Sequence, residues 1–200
     1  MIQADMPQGD IPQGDMAPER GRAAPADVVF TRAFLGLGGN LGDVAARFDA
    51  AIALLAAAEG VEMRRRSALW RTPPWGDPDQ PPFLNACVEI GATLPPLALL
   101  RLCLDVERRL GRDRQAPDAR RWGPRPIDID LLDMANVALD TPELTLPHPR
   151  LGERAFALAP LVELAPDLPV SVRDGGRVVQ MPARQALARL SMQGLERLED

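Results

Sequence analysis

The stretch Arg121–Met134, RWGPRPIDIDLLDM, reads as a loop running into a β-strand, and the rest of the chain can be arranged around it. From Ile127 to Leu131 apolar and acidic residues alternate. Side chains on a strand alternate faces, so Ile127, Ile129 and Leu131 share one side and Asp128 and Asp130 the other. A strand over 126–134 that buries one face needs a sheet and a covering helix. The helix lies just before it, starting at Pro95 or Pro96 in the favoured first-turn position and carrying Leu99, Leu102, Val106 and Leu110 on one side, with Gly111 as its stop. Further back come a strand over 83–94, a Pro-rich loop over 72–82 and an alternating strand over 61–72. A helix capped by Asp43 runs to about Glu59 and is stopped by Gly60. A buried strand over 28–37 precedes it and ends at Gly36-Leu-Gly-Gly-Asn40. The order βαββαβ is the split-βαβ pattern of ferredoxin-like folds. The expected class is therefore α+β, a ferredoxin-like βαββαβ core with extra C-terminal helices and strands. These include an apolar helical stretch from about Glu153 to Leu164 and an amphipathic helix near 183–190.

Composition narrows the chemistry. The chain has 200 residues, enough for one domain, and a net charge of −5, which argues against a protein that coats nucleic acid. No apolar run is long enough to cross a bilayer, and the N-terminus lacks the apolar core of a secretory signal, so a cytoplasmic location is expected. Residues 1–26 repeat a pentapeptide, MPQGD at 6–10 and IPQGD at 11–15. They lack apolar periodicity, so a disordered tail is expected before a single domain over 27–200. Cys87 and Cys103 sit in apolar stretches at a spacing that fits neither a metal knuckle nor a redox pair. All 23 basic residues are Arg. Without Lys there is no Walker lysine, no protein-kinase strand lysine and no Schiff base, and the single His148 excludes a multi-His metal site. Any phosphate must be held by Arg, backbone N–H groups and metal.

Between Arg108 and Arg125 there are seven Arg and two acids, Asp113 and Asp118. A loop so charged faces water or an anion, and Arg forms forked hydrogen bonds to phosphate oxygens. It leads into Asp128 and Asp130, which on one face of a strand lie roughly 6.5–7 Å apart. That spacing suits two Mg²⁺ ions at about 3.5–4 Å. The bland alternative is a solvated acidic face with Arg–Asp pairs. The glycine segment at 36–42 fits neither a P-loop nor GxGxxG, and reads as a strand-to-helix turn whose backbone can also line a pocket. Phe83 and Asn85 share a strand face; a ring to stack on and an amide to read edges suit a flat heterocycle, while a core Phe beside a turn-forming Asn is the alternative. His148 is flanked by two prolines and is either structural or a donor to an anionic oxygen.

Six segments in order, LGLGGNLGD, RTPPWG, FLNACVEI, the Arg108–Arg114 region, RWGPRPIDIDLLD and LTLPHPRLGERAFAL, resemble the hydroxymethyldihydropterin pyrophosphokinase family of folate biosynthesis over roughly 34–167. The resemblance implies transfer of pyrophosphate from ATP to 6-hydroxymethyl-7,8-dihydropterin with release of AMP, two Mg²⁺ ions held by Asp128 and Asp130, and no nucleic-acid or membrane partner for what is expected to be a monomer. It implies catalytic roles for Arg112, Arg114, Arg121 and Arg125. ATP contacts fall on Glu107, Arg114, Arg121, Trp122, Ile129, Leu131, Thr145, His148 and Arg154. The pterin pocket falls on Thr72, Pro73, Pro74, Trp75, Phe83, Asn85, Trp122, Arg125, Asp128 and Phe156, with Phe83 and Phe156 as the stacking rings. Departures from the family pattern are an extended stretch over 115–120, Glu143 in place of a basic residue, Leu104 in place of a glutamine, and Trp75 in place of a smaller apolar residue. A ferredoxin-like RNA-binding module, or an inactive scaffold that binds ligand without turnover, is the alternative function.

Overall fold

The computed structural model describes residues 28–74, 77–114 and 123–199. The expected disordered tail over 1–26 lies outside the described residues. The first strand, β1, spans Thr31–Gly39. The helix after it, α1 (Val44–Ala56), begins where the Asp43 side chain accepts a hydrogen bond from the Ala46 N–H at 3.0 Å. It buries Val44, Phe48, Ala51 and Leu55 as one stripe. It stops three residues before Glu59, and Gly60 makes the following turn with φ +79°.

The strand expected over 61–72 is two strands, β2 (Val61–Arg66) and β3 (Trp70–Thr72), and both pair antiparallel with β4 (Phe83–Ala92). The interruption has a local cause. A register shift falls between Met63 and Arg65, and at Ser67 the side chain joins the ladder: its Oγ accepts from the Cys87 N–H at 2.9 Å while the Ser67 N–H donates to the Cys87 carbonyl at 2.9 Å.

Helix α2 (Pro96–Arg109) starts with Pro at the first position, buries Leu99, Cys103 and Val106, and gives way to Gly111 at φ +90°. Strand β5 (Asp128–Met134) then closes the core. In the main sheet β4 and β5 flank β1, and β2 and β3 lie beyond β4, which is the expected ferredoxin-like arrangement. Past the core come the short pair β6 (Leu139–Asp140) and β7 (Thr145–Leu146), helix α3 (Ala155–Leu164), the hairpin β8 (Pro169–Asp174) and β9 (Arg177–Pro182), and helix α4 (Ala183–Ala188). Last is β10 (Glu196–Arg197), which returns to the main sheet beside β3.

Two apolar cores lie on opposite sheet faces. Leu35, Leu37, Val88, Ile90, Ile129 and Leu131 meet α1 and α2 on one side. On the other, Phe34, Cys87 and Leu132 meet α3, the β8–β9 hairpin and α4. Both cysteines are free and buried; burial pushes the Cys103 thiol up to about 12 and raises Cys87 too, so both are inert packing groups. Among the described residues no helix is long and apolar enough to cross a membrane.

Candidate active site

The second sheet face is only half covered. Its registers place Gly36 beside Cys87 and Asp130, and Gly38 beside Asn85 and Asp128. Where β1 has Phe34, α3 packs; where it has Gly36 and Gly38 there is no side chain, and a cavity of about 290 Å³ opens. The space is tightly bounded: a methyl at Gly36 would sit 3.3 Å from Leu132 Cδ1, and one at Gly38 3.2 Å from Asn85 Oδ1. The glycine segment is thus mostly strand and pocket floor, and the turn expected there occupies residues 40–43.

Thr72, Pro73, Phe83 and Asn85 form one wall of this cavity. Asp128 and Asp130 form the opposite one. Arg112, Arg114 and Arg125 close one end, with His148, Arg154 and Phe156 at the other. Twelve positions expected from sequence therefore meet in one place. Asn85 Nδ2 donates to Thr72 Oγ1 at 2.9 Å, which fixes the amide with its oxygen toward the glycine floor. Arg125 lies over the Phe83 ring at 4.7 Å and Arg154 over Phe156 at 5.8 Å, so each ring already carries a cation.

Charge is dense here. Arg112 pairs with Asp128 and, at 2.8 Å, with Glu107; Arg125 Nε lies 3.1 Å from Asp128 Oδ2, and Arg154 lies 3.7 Å from Asp130. Burial works to raise the Asp128 carboxyl, but Arg112, Arg125 and Arg114 outweigh it and hold it below the usual range. Asp130 is pushed up to about 6, first by burial and then by the Asp128 charge, with Arg154 too distant to offset them. Asp130 is thus the acid left short of positive charge, while Asp128 takes most of it. The arginines in turn keep donors in reserve: Arg125 Nε and Arg154 Nε are buried without an aligned hydrogen bond among the described residues, although both side chains are ion-paired to the acids. A cation at the acids and a polyanion across the arginines would satisfy both. Among the described residues no three His, Cys, Asp or Glu side chains converge on a metal position. A cation held by two carboxylates must take its other ligands from water or from the anion, the usual arrangement for Mg²⁺ with a substrate phosphate.

Other expected residues sit differently. Glu107 is 1% exposed and does not line the cavity. Its oxygens accept from Arg112 and Arg114 at 2.8–3.0 Å and from the Ile129 N–H at 2.7 Å, so it braces the two arginines against the free edge of β5. It borders a separate groove at the end of α2 with Leu104 and Arg108. Ile129 and Leu131 are buried in the first core, so only their backbone can meet a ligand. Thr145 bonds Asp140 outside the cavity, and Pro74 does not line it. Trp75, Arg121 and Trp122, together with the extended stretch over 115–120, lie outside the described residues.

Sequence reasoning missed Arg150, Leu132 and Ala157 in the lining, and it missed Asn40 as a support. The Asn40 Oδ1 accepts from the Arg125 N–H at 2.8 Å, while its Nδ2 donates to Gln80 Oε1 and the Pro81 carbonyl, each at 3.0 Å. The short spacing to His148 could have flagged Arg150; nothing local could have flagged contacts made 85 residues away.

His148 Nδ1 accepts from the Arg150 N–H at 3.3 Å, which leaves Nε2 as the proton carrier. Burial, then the Arg154 charge, lower its pKa from 6.5 to about 4, so it is a neutral donor at pH 7. A folded state that resists protonation contributes stability that is full above pH 6.5 and is lost as the pH falls towards 4. His148→Gln should therefore lose less unfolding free energy than the parent chain across that window in urea titrations; parallel losses would refute the assignment.

The comparisons with known proteins bear on family and fold. Residues 34–166 match the family model for 7,8-dihydro-6-hydroxymethylpterin-pyrophosphokinase. The chain is 50% identical over 169 residues to a 2-amino-4-hydroxy-6-hydroxymethyldihydropteridine pyrophosphokinase of Methylorubrum extorquens, covering 84% of this chain and 99% of that one. It is 42% identical over 132 residues to the protein of the same name from Bacillus subtilis, covering 66% of this chain and 77% of that one. In a solved HPPK-DHPS complex with substrates, 84% of this chain superposes with TM-score 0.58 at 12% identity. The chain spans 47% of that protein's length, and the likeness bears on the fold alone.

Proposed function

The chain belongs to the 7,8-dihydro-6-hydroxymethylpterin-pyrophosphokinase family, and from that premise we propose how its own residues divide the work. The reaction is transfer of pyrophosphate from ATP to the hydroxymethyl group of a hydroxymethyldihydropterin, a step of folate biosynthesis. The observation that carries the assignment of roles is the single cavity in which clustered guanidinium groups, two carboxylates of opposite pKa shift, two aromatic rings and a fixed amide converge.

The pterin lies over Gly36 and Gly38 between Phe83 and Phe156, and Asn85 reads its edge. Entering there, it displaces the guanidinium groups of Arg125 and Arg154 from the ring faces and turns them to the phosphates. Asp128 and Asp130 are the residues that hold Mg²⁺, which when bound neutralises phosphate charge. Arg112 and Arg114 supply further positive charge, and the His148 Nε2–H donates to an anionic oxygen. The hydroxymethyl oxygen attacks the β-phosphorus, the bond from that phosphorus to the α,β-bridging oxygen breaks, AMP leaves, and the hydroxyl proton passes to solvent. With His148 neutral and weakly basic, the site works by positioning and charge neutralisation, which is where phosphoryl-type transfers gain most of their rate.

The same proposal takes residues 27–200 as one domain of a cytoplasmic monomer with no nucleic-acid partner, the last of these supported by the net charge of −5. Incubation with Mg²⁺-ATP and 6-hydroxymethyl-7,8-dihydropterin should yield AMP in step with pterin diphosphate. ADP as the product would overturn attack at the β-phosphorus, and no nucleotide product would leave an inactive binder. Chelating Mg²⁺ with EDTA should abolish AMP formation.

A further inference from the structure

We propose that Glu163 and the C-terminal strand β10 are positioning elements for the pterin wall, holding β3 and α3 at the separation that the flat ring requires. The proposal rests on the pterin pocket assigned above. Strand β3 is the rail on which that wall is mounted: Trp70, Arg71 and Thr72 pair with Asn85, Leu84 and Phe83 in turn. A strand of three residues with one neighbour is a weak support. Its other edge is taken by β10, where Glu196 pairs with Arg71 and Arg197 with Trp70, and the Leu198 N–H donates to the Leu69 carbonyl at 2.8 Å. Arg71 and Glu196 form an ion pair at 2.9 Å. Gly194 lies against Pro73, close enough that a methyl there would be 3.3 Å from the Pro73 ring, and Pro73 lines the cavity. All of this segment falls beyond residue 166, where the family-model match ends.

Glu163 joins this strap to the opposite ring. It lies seven residues after Phe156 on α3, two helical turns along the same face. Its Oε2 accepts from the Ala68 N–H at 2.9 Å, and its Oε1 accepts from Trp70 Nε1 at 2.8 Å and from Arg197 Nε at 3.1 Å. One carboxylate thus binds the helix carrying Phe156, the strand beside Phe83 and the terminal strap. None of these groups lines the cavity, so their effect on ligand must pass through placement of the walls. The Asp128–Asp130 side of the site is carried by β1 and β5, and its link to α3 is the ion pair of Arg154 with Asp130 at the far end of the helix from Glu163.

The test compares Glu163→Ala and Leu198→Pro, the second of which removes one N–H from the strap, with the parent full-length chain. Three quantities are measured: the Kd of α,β-methylene-ATP with Mg²⁺, the Kd of 6-hydroxymethyl-7,8-dihydropterin in its presence, and steady-state KM and kcat. Pterin affinity should fall by about tenfold or more, as expected when a remote contact shifts a binding wall by a fraction of an ångström. Nucleotide affinity should fall far less, because Arg154 at the start of α3 is the one phosphate contact on the displaced elements, and kcat at saturating pterin should be nearly unchanged. Folded variants that bind pterin as the parent does, or that lose nucleotide and pterin affinity in parallel, would overturn the proposal. If Glu163→Ala fails to give a cooperative thermal transition, Leu198→Pro at the half-buried edge decides. A parent chain that binds no pterin would instead sink the pocket assignment, and one that binds pterin but makes no AMP would sink the catalytic reading while leaving this test intact.

Discussion

Asp128→Ala should lower kcat for AMP formation by about a thousandfold or more, equivalent to about 4 kcal/mol of transition-state stabilisation. Asp130→Asn should be similarly inactive. The two substitutions should nevertheless move the stability of the ligand-free protein in opposite directions. Asp128 is held low by Arg112, Arg125 and Arg114, so its charge stabilises the fold above the usual carboxylate range, and this is lost as the pH falls. Removing it leaves those arginines facing one another. Asp130 is raised from 3.8 to about 6, so at neutral pH its charge opposes folding, and the opposition disappears as the pH falls through that window. Asp130→Asn removes a like charge from beside Asp128 and should raise Tm in the absence of Mg²⁺. Near-normal kcat for either variant at saturating Mg²⁺ would refute the metal role; equal Tm changes would refute the charge imbalance. An inactive variant more stable than its parent is the usual mark of a residue kept for function.

Glu107→Ala should cost about 3 kcal/mol of unfolding free energy, the scale for removing one partner of a buried ion pair. Glu107 is 1% exposed and satisfies Arg112, Arg114 and the Ile129 N–H together. Without it two guanidinium groups lose their brace and a backbone donor on the β5 edge is orphaned. Urea unfolding monitored by circular dichroism measures the loss. Turnover should also fall, because Arg112 and Arg114 would no longer be held at the cavity mouth. Parent-like stability would show that solvent replaces the carboxylate and that the buried cluster contributes little.

The core elements were legible because each has a periodic signature: alternation in 127–131, the i, i+3 and i+7 stripe of α2, and glycine or proline at the boundaries. The acid pair was legible for the same reason, since alternation alone puts Asp128 and Asp130 on one face. The break at Ser67 was not, because it depends on a hydroxyl that bonds the Cys87 N–H 20 residues away. Strand β10 was not either, being two exposed residues defined only by the edge they meet. Phe83 and Phe156 could be paired only through the family resemblance, because nothing in either segment refers to the other. The anchoring of Glu107 to the Ile129 N–H, Asn40 as a tie to Arg125 and Glu163 as a staple to Ala68 depend on partners 22 to 95 residues away, a distance over which local pattern carries no information.

The bare floor over Gly36 and Gly38 has a consequence for competitive inhibitors. A flat analogue that fills the hollow rests on main chain, so a chain under selection has few ways to exclude it by altering floor contacts. A carbon gained at either position would crowd Leu132 or Asn85 at 3.2–3.3 Å and stand in the hollow where the pterin is proposed to lie, so it would shut out the analogue and the natural ring alike. Resistance by substitution at these two sites should therefore carry a growth penalty wherever the organism must make its own folate.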